Sequence, residues 1–346
     1  MKLGIVLFNL GGPDRADAVR PFLRNLFSDR AIIDLPAIVR YPLARFIADR
    51  RAPITRGIYA EIGGRSPIVE ETEAQARALE ARLAQAGHEA KAFVAMRYWH
   101  PFAHEAVAHV KNWNPDAIIL LPLYPQYSTT TSRSSLAEWH QEAARQHLKI
   151  PTHEVCCFPI EEGFVSAMTQ LLSEALQRVK PGVAYRVLFS AHGLPKRVID
   201  RGDPYQWQVE QTVAAVVSRL NRPDIEHAIS YQSRVGRLEW IGPPTEAEIR
   251  RAGEERKGLI VVPVAFVCEH SETLFELDIK CIRIAQDCGV PDYIRVPTVR
   301  TQPAFIGGLA DLVLAALRAR APISCVPGRL CPAEATCGQN VRRVHA

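Results

Sequence analysis

The sequence lacks an apolar run long enough to span a bilayer, because none reaches the roughly 18–20 residues that a transmembrane helix needs. The first stretch, "MKLGIVLFNLGGPD", has no extended apolar region and no small-residue cleavage site, so no signal peptide is expected. Basic blocks interleaved with aromatics are also missing, which argues against nucleic acid as a partner despite a net charge of +5. These absences favour a cytoplasmic protein that meets anionic small molecules or an anionic membrane surface.

Several common catalytic signatures are absent as well. No G-x-S-x-G turn is present, which disfavours a Ser–His hydrolase, and no H-E-x-x-H is present, which excludes a zincin. The stretch "GGRSPIVEET" places Gly63, Gly64 and Ser66 before a helix, yet it matches neither phosphate-binding glycine motif. A nucleotide site is therefore disfavoured, although backbone N–H groups at this position could hold a carboxylate.

Length and patterning predict an α/β protein with two domains. The 346 residues are 47% hydrophobic and 23% charged, and strand-like runs alternate with helical patterns. The second half repeats the first, because "LIVVPVAFVCEHSET" parallels "IILLPLYPQYSTTT" and "YRVLFSAHGLP" parallels the opening run. We therefore predict two similar Rossmann-like domains with parallel sheets flanked by helices and a cleft between them. The expected bounds are residues 1–160 and 161–317, followed by a cysteine-bearing tail over residues 318–346.

Polar clusters follow the strands of both halves, where ligands of open α/β sheets bind. In "SAHGLP", His192 suits a general base, although a hydrogen-bonded structural histidine is the alternative. In "CEHSETLFE", His270 precedes Glu272 and Glu276, which share a helix face at i,i+4 spacing. This group indicates an acid/base site, a transient metal site or merely an acidic helix start exposed to solvent.

Residues from about 34 to 58 alternate large apolar side chains with arginines. We call this segment the lip. Pro36, Pro42 and Pro53 predict repeated breaks in any helix and so favour an irregular lip. Such a lip could touch an anionic membrane or grip an apolar, carboxylated ligand, whereas the alternative is an amphipathic helix packed on the core.

Taken in order, "NLGGP", "GRSPI", "RYWHP", "YPQYS", "LFSAHGLP", "RGDPY", "SRVG", "WIGP" and "PVAFVCEHSETLFELDI" resemble the ferrochelatase family over nearly the whole chain. The resemblance implies insertion of Fe²⁺ into protoporphyrin IX with release of two protons, the last step of haem synthesis. It also implies two Rossmann-like domains around a porphyrin cleft.

The resemblance implies a role for each matching residue. His192 would accept a pyrrole proton or meet the substrate Fe²⁺ together with Glu272, supported by His270, and Glu276 would continue a path for protons or metal. Three residues match positions that hold the porphyrin propionates, namely Arg50, Arg51 and Ser66. The positions that match the walls of the porphyrin pocket are Leu10, Tyr59, Arg97, Tyr98, Tyr124, Trp240 and Phe266.

Three of the eight cysteines, Cys325, Cys331 and Cys337, fall in the last 22 residues and suggest a metal or cluster site rather than an incidental tail. Family members that carry a [2Fe–2S] cluster use three such cysteines. In animal members the fourth ligand directly follows "YPQYS", where this chain has a threonine. Cys156 or Cys157 would then be the fourth ligand, because four thiolates are usual. Zn²⁺ or no metal at all are the alternatives.

Other functions stay open beside the main reading. A ferrochelatase specific for coproporphyrin III is the nearest, but such members tend to lack this cysteine tail and differ at "MRYWHP". A porphyrin or haem carrier without turnover would need no acid/base pair. A cobalt or nickel chelatase of related fold is a further alternative. The expected partners are protoporphyrin IX and ferrous iron, with peripheral contact to the inner membrane, and the expected assembly is a monomer or a homodimer.

Overall fold

The computed structural model describes residues 1–234, 236 and 238–337 and contains two parallel β-sheets. The first sheet has the order β2-β1-β3-β4-β9, and its strands are β1 (Lys2–Asn9), β2 (Glu89–Met96), β3 (Ala117–Pro122), β4 (Thr152–Cys157) and β9 (Ile323–Ser324). The second has the order β6-β5-β7-β8, and its strands are β5 (Tyr185–His192), β6 (Glu226–Gln232), β7 (Gly258–Pro263) and β8 (Tyr293–Arg295). The prediction of an α/β fold with two parallel sheets is confirmed.

The two sheets repeat one arrangement. In each, the first strand in sequence is central and pairs with the next two strands, β1 with β2 and β3, and β5 with β6 and β7. Pro122 pairs with Phe8, and Pro263 pairs with Ser190, so the two prolines end equivalent strands beside equivalent neighbours. The internal repeat inferred from the sequence is therefore present in the backbone.

Helices cover the faces of both sheets, which explains why every residue of β3 and β7 is buried. Before β5 they are α1 (Val19–Ser28), α2 (Ala37–Glu61), α3 (Ile68–Gln85), α4 (Ala103–Trp113), α5 (Ser132–Arg145) and α6 (Glu162–Leu176). After β5 they are α7 (Lys196–Asp200), α8 (Tyr205–Leu220), α9 (Thr245–Glu254), α10 (Cys281–Asp287) and α11 (Pro303–Arg318). A 3₁₀ turn spans Ala16–Ala18, and a π-helix spans Glu272–Lys280. None of the described helices is long and apolar enough to cross a membrane.

The lip forms one continuous helix, α2, so the predicted irregular lip is wrong. Pro42 and Pro53 lie inside this helix. Each proline costs a backbone hydrogen bond, but α2 is mostly exposed, so water can satisfy the freed carbonyls. Its buried stripe consists of small residues, Ala44, Ala48 and Ala52, which pack toward α1. The large apolar side chains instead face outward, and they are Leu35, Ile38, Val39, Tyr41, Phe46 and Ile54.

The chain returns to the first sheet at its end. Helix α11 packs against α3 and α6, and β9 then pairs with β4 at the edge of the first sheet. The first sheet is thus completed by a strand from the predicted tail. The domain bounds at residues 160 and 317 stay predictions, and residues 338–346 of the tail lie outside the described part of the chain.

Candidate active site

Neighbouring strands bring His192 and Glu272 together. His192 is the last residue of β5, and Glu272 begins the π-helix that follows the adjacent strand β7. The imidazole Nδ1 lies 2.7 Å from Glu272 Oε2. Two residues 80 positions apart therefore form a short charge-assisted hydrogen bond at the carboxyl end of the second sheet.

Glycine next to His192 permits this crowded geometry. A Cβ on Gly193 would lie 2.9 Å from the carbonyl oxygen of Gln232 and 3.4 Å from the indole of Trp240. The Gly193 N–H donates to that same carbonyl at 2.9 Å. The "SAHG" turn therefore needs glycine for close backbone approach, and it places Trp240 beside the candidate base.

The pair favours its charged form. Burial alone would lower the pKa of His192, but the charge of Glu272 and its hydrogen bond outweigh burial and raise this pKa. Burial would likewise raise the pKa of Glu272, yet the charge of His192 and the same hydrogen bond hold it at about 2. The interaction between the two side chains thus favours an imidazolium–carboxylate pair.

His270 differs from His192 because burial dominates its environment. It lies beneath Phe266, with ring centroids 4.8 Å apart, and burial lowers its pKa. No hydrogen-bond partner for its buried Nδ1 occurs among the described residues. Burial therefore favours the neutral imidazole of His270, whereas Glu272 favours the charged form of His192.

The π-helix extends the site away from His192. Its wide turn is visible where the Cys281 N–H donates to the carbonyl of Glu276, five residues earlier. Gln232 Nε2 donates to the Glu272 carbonyl at 2.8 Å and to Glu276 Oε2 at 3.2 Å, and Ser233 also donates to Glu276. Burial, followed by the negative charge of Glu272, raises the pKa of Glu276. One carboxylate in this row thus has a depressed pKa and the next a raised one, a common feature of proton-handling sites.

Helix α3 of the first half holds the segment that carries His270. Gln75 Nε2 donates to the carbonyls of Val267 and Arg300 at 2.9 and 3.0 Å. Glu71 Oε2 accepts the Glu269 N–H at 2.8 Å. Sequence reasoning missed both residues, although polar side chains within the apolar stripe of α3 were a usable signal.

A buried ion-pair network supports the same segment from the other side. Arg295 pairs with Glu269 at 2.7 Å and with Asp278 at 2.6 Å. Glu269 also accepts the Thr298 N–H at 3.0 Å. Residues 267–278, which carry the candidate catalytic residues and are called the catalytic segment below, are therefore fixed between helix α3 and the end of β8.

Residues 2–317 match the family model for ferrochelatase. The chain is 52% identical over 338 residues to the ferrochelatase of Phenylobacterium zucineum (strain HLK1), with 96% of each chain covered. It is also 52% identical to the ferrochelatase of Caulobacter vibrioides (strain NA1000 / CB15N), over 90% of this chain and 89% of that one. The chain belongs to the ferrochelatase family. It is therefore an enzyme, a chelatase that inserts ferrous iron into a porphyrin.

Solved structures support the fold of this ferrochelatase. SirB from Bacillus subtilis with Fe³⁺ aligns with a TM-score of 0.52 and 12% identity, over 90% of this chain and 94% of that one. The sirohydrochlorin chelatase SirB from Bacillus subtilis subspecies spizizenii in complex with cobalt aligns with a TM-score of 0.51 and 12% identity, over 92% and 94%. At this identity the likeness concerns the fold alone.

The predicted pocket residues of the ferrochelatase fall into separate groups. Tyr59 reaches from the lip to the catalytic segment, where its hydroxyl donates to Ser271 Oγ at 3.4 Å. Burial raises the pKa of Tyr59 to about 12, so the phenol stays neutral. Arg50 and Arg51 lie on α2, and their guanidinium groups are near the rings of Phe46 and Phe27, respectively. The lip and the catalytic segment are therefore in direct contact.

Arg97 lies in an internal network instead of being free for a substrate carboxylate. Its guanidinium lies 2.8 Å from Asp29 and 3.0 Å from Glu138. Tyr98 is buried and donates to Asp29 at 2.8 Å, and its N–H donates to the Leu10 carbonyl. Asp29, which sequence reasoning missed, organises this group. The roles of these residues as pocket walls stay predictions.

Ser66 and Tyr124 are also enclosed. Ser66 is buried, and its Oγ accepts the Ile68 N–H at 3.4 Å at the start of α3. A Cβ on Gly12 would lie 2.5 Å from the Ser66 Cβ, so the "NLGGP" turn packs directly on this serine. Tyr124 shares a 3.4 Å hydroxyl contact with Ser135. Any propionate contact of Ser66 stays a prediction.

Four cysteines come together in one buried cluster. Cys156 and Cys157 of β4 pack with Cys331 and Cys337 of the tail, whereas Cys325 packs against the larger core. Gln208 Nε2 donates to Cys157 Sγ at 3.4 Å and to Cys331 Sγ at 3.0 Å. Within the described ranges, no group of three or more His, Cys, Asp or Glu side chains could hold a metal ion.

Two thiols of this cluster have raised pKa values. Hydrogen bonds from Cys156 and Cys331, with burial, raise the pKa of Cys157 well above its usual value. The pKa of Cys331 rises to about 11, because the hydrogen bond with Cys337 and burial outweigh the hydrogen bond with Cys157. Cys331 and Cys337 thus lie beside β4 as predicted, whereas Cys325, the third predicted tail cysteine, does not.

Proposed function

We propose that the chain inserts Fe²⁺ into protoporphyrin IX to form protohaem, with His192 and Glu272 as the catalytic pair. The observation that carries this proposal is the 2.7 Å hydrogen bond between His192 Nδ1 and Glu272 Oε2 at the strand ends. The ring of His192 is 37% exposed, so a planar macrocycle can lie against it. This places a titratable pair at one face of the substrate.

The reaction needs acceptors for two protons, because both pyrrole N–H groups lose a proton as iron enters. The charge of Glu272 and its hydrogen bond raise the pKa of His192, which makes this imidazole a stronger proton acceptor. A dication nearby favours the neutral form of this imidazole, since like charges repel. The neutral imidazole can then accept a pyrrole proton as a general base, while Glu272 offers a carboxylate to the iron.

The remaining groups in the row serve the second proton. His270 is neutral and adjacent, and Glu276 has a raised pKa. We assign His270 to support Glu272, and Glu276 to carry protons onward from the reaction site. His270 is buried, which limits competition from bulk water at that position.

The His192→Ala variant tests the catalytic pair. We expect Fe²⁺ insertion to fall by about 10² or more, because general acid–base catalysis typically contributes that much. The assay is fluorescence loss of protoporphyrin IX with iron under anaerobic conditions. Near-normal turnover would remove His192 from the mechanism, and binding without turnover in the unaltered protein would favour the carrier alternative.

The lip favours protoporphyrin IX over coproporphyrin III. Arg50 and Arg51 suit two propionates, and the outward apolar residues beside them, such as Phe46, suit the vinyl and methyl edge. Coproporphyrin III carries four propionates and no vinyl groups. We expect kcat/KM for protoporphyrin IX to be at least about tenfold higher, measured with both porphyrins and product analysis. A preference for coproporphyrin III would reverse this assignment.

We also propose that the lip touches a membrane surface peripherally. Ile38 and Ile54 are 85% and 70% exposed on a helix that also carries five arginines between residues 40 and 56. The Ile54→Asp variant should bind anionic lipid vesicles roughly tenfold more weakly. Gln170→Asp, which adds the same charge to α6, is the control. Equal sedimentation of both variants with vesicles would refute the proposal. The cytoplasmic location and the oligomeric state stay predictions.

In the part of the chain that the structure describes, no group of three or more His, Cys, Asp or Glu side chains could hold a metal ion, and Cys325 packs apart from the other four cysteines of the predicted site. As they stand, these residues do not form a cluster site, and no step of the proposed reaction involves one. Absorbance between about 400 and 500 nm, with acid-labile sulfide, in anaerobically purified protein would contradict this conclusion.

A further inference from the structure

A cavity of about 460 Å³ lies at the outer end of the carboxylate row, between the π-helix, helix α9 and the loop after β6. Glu276 and Lys280 border it from the π-helix, and Glu246 and Arg250 border it from α9. His192 and Glu272 are not among its lining residues. The cavity therefore reaches the row at Glu276, one position beyond the catalytic pair.

The row of acidic side chains on the π-helix ends with a positively charged side chain at this cavity. Glu272, Glu276 and Lys280 follow one another at intervals of four on the π-helix, so they lie nearly in line. Lys280 Nζ lies 2.6 Å from Glu246 Oε1. The lysine thus occupies the position where a third acidic group would extend the row, and it neutralises the nearest carboxylate on α9.

Three positively charged side chains border the cavity. Arg234 and Arg250 border it together with Lys280. Burial opposes the charge of Lys280, but Glu246 and Glu276 outweigh burial and raise its pKa. Lys280 therefore stays charged over the range in which enzymes are assayed. A dication that moved through the cavity toward Glu276 would pass this ammonium group at close range.

Iron has another approach to the catalytic pair. The side chain of His192 is 37% exposed and does not border the cavity, so we assign its open surface to a second space. That space is the side on which the porphyrin is proposed to lie. Iron that reached the pair from that side would not pass the Lys280 ammonium group.

Building on the proposed function, we propose that Lys280 is a specificity-determining residue that excludes divalent cations from this cavity, so that ferrous iron enters from the porphyrin side. Glu276 and Glu246 provide acidic oxygens that would otherwise attract a divalent ion. The lysine prevents this by pairing with one carboxylate and repelling cations from the other.

Cobalt titration of the full-length protein tests the proposal without depending on turnover. The background is the His192→Ala, Glu272→Gln double variant, which lacks the inner pair, and Co²⁺ binding is followed by visible absorption. We expect no saturable binding below about 1 mM in this background. Adding Lys280→Glu should create a site at least about tenfold tighter, because a third carboxylate replaces a cation. Lys180→Glu, another exposed lysine paired with a carboxylate at 2.8 Å, is the matched control and should create none.

Saturable cobalt binding in the background protein that disappears with Glu276→Gln would overturn the proposal, as would a Lys280→Glu variant that gains no site. A kinetic measurement adds an independent check. Ala247→Trp narrows the cavity and should leave kcat/KM for Fe²⁺ within about twofold, whereas a loss of about tenfold would show that iron passes through the cavity. Failure of His192→Ala to reduce turnover would refute the catalytic assignment and leave the cobalt result unaffected.

Discussion

Replacing Gln75 with alanine should destabilise the protein and misplace the catalytic segment. Gln75 is fully buried on α3, and its amide donates to two carbonyls that flank this segment. The Val267 carbonyl keeps a second donor, the Arg300 N–H at 3.0 Å. The Arg300 carbonyl would lose the amide, which costs about 1–3 kcal/mol for a buried acceptor. Loss of the other bond adds about 1 kcal/mol, so we expect a total of about 2–4 kcal/mol.

Urea unfolding at neutral pH measures this difference. Gln170→Ala is the control, because Gln170 is exposed on α6 and donates only within that helix, to Glu174 at 3.0 Å. The control should change the free energy of unfolding by less than about 0.5 kcal/mol. Gln75→Ala should also lower kcat more than it raises the KM for porphyrin, since it displaces His270 and not the pocket. Two variants with the same stability would refute the reasoning.

Four further predictions concern charge and packing. Glu272 raises the pKa of His192 above its unfolded value. The free energy of unfolding of the wild type should therefore exceed that of His192→Gln by its full margin below about pH 6.5 and by a smaller margin at pH 9. Because the pKa of Glu272 is lowered to about 2, the same unfolding measurements should show its contribution above about pH 4.5 and its loss toward pH 2. Arg295→Met should cost about 3–5 kcal/mol in urea unfolding, since it leaves buried Glu269 without its cation. Gly12→Ala should lower the melting temperature by crowding Ser66, and an added Ser66→Gly should restore it.

The sequence was sufficient for the fold and for the expectation that His192 and Glu272 meet at one sheet edge. Parallel strands end at one edge of a sheet, so His192 and Glu272 could be expected there once the internal repeat was recognised. The family resemblance assigned their chemistry. The 2.7 Å distance between His192 Nδ1 and Glu272 Oε2 could not be predicted, because it depends on the pairing of β5 with β7 and on the wide turn of the π-helix.

Other features depend on contacts that no local pattern encodes. The lip was expected to be irregular because proline disfavours helix interiors, but α2 is exposed where Pro42 and Pro53 occur, so the penalty is small. The hydrogen bond from Gln75 to the Val267 carbonyl joins residues that are 192 positions apart in the sequence. Equal spacing of the tail cysteines gave no reason to separate Cys325 from the other two, because the tail has no periodic pattern that fixes its path.

Strand β9 has a consequence for the way the chain is made. Roughly 165 residues separate β4 from β9, so at about 5–20 residues per second a ribosome needs roughly 8–33 s to add the last strand. During this interval the nascent first sheet has β4 as an open edge, a template for unwanted strand pairing. The tail is thus the final piece of the domain synthesised first, and a stop codon before residue 323 would damage the amino-terminal half while the second sheet keeps all its strands.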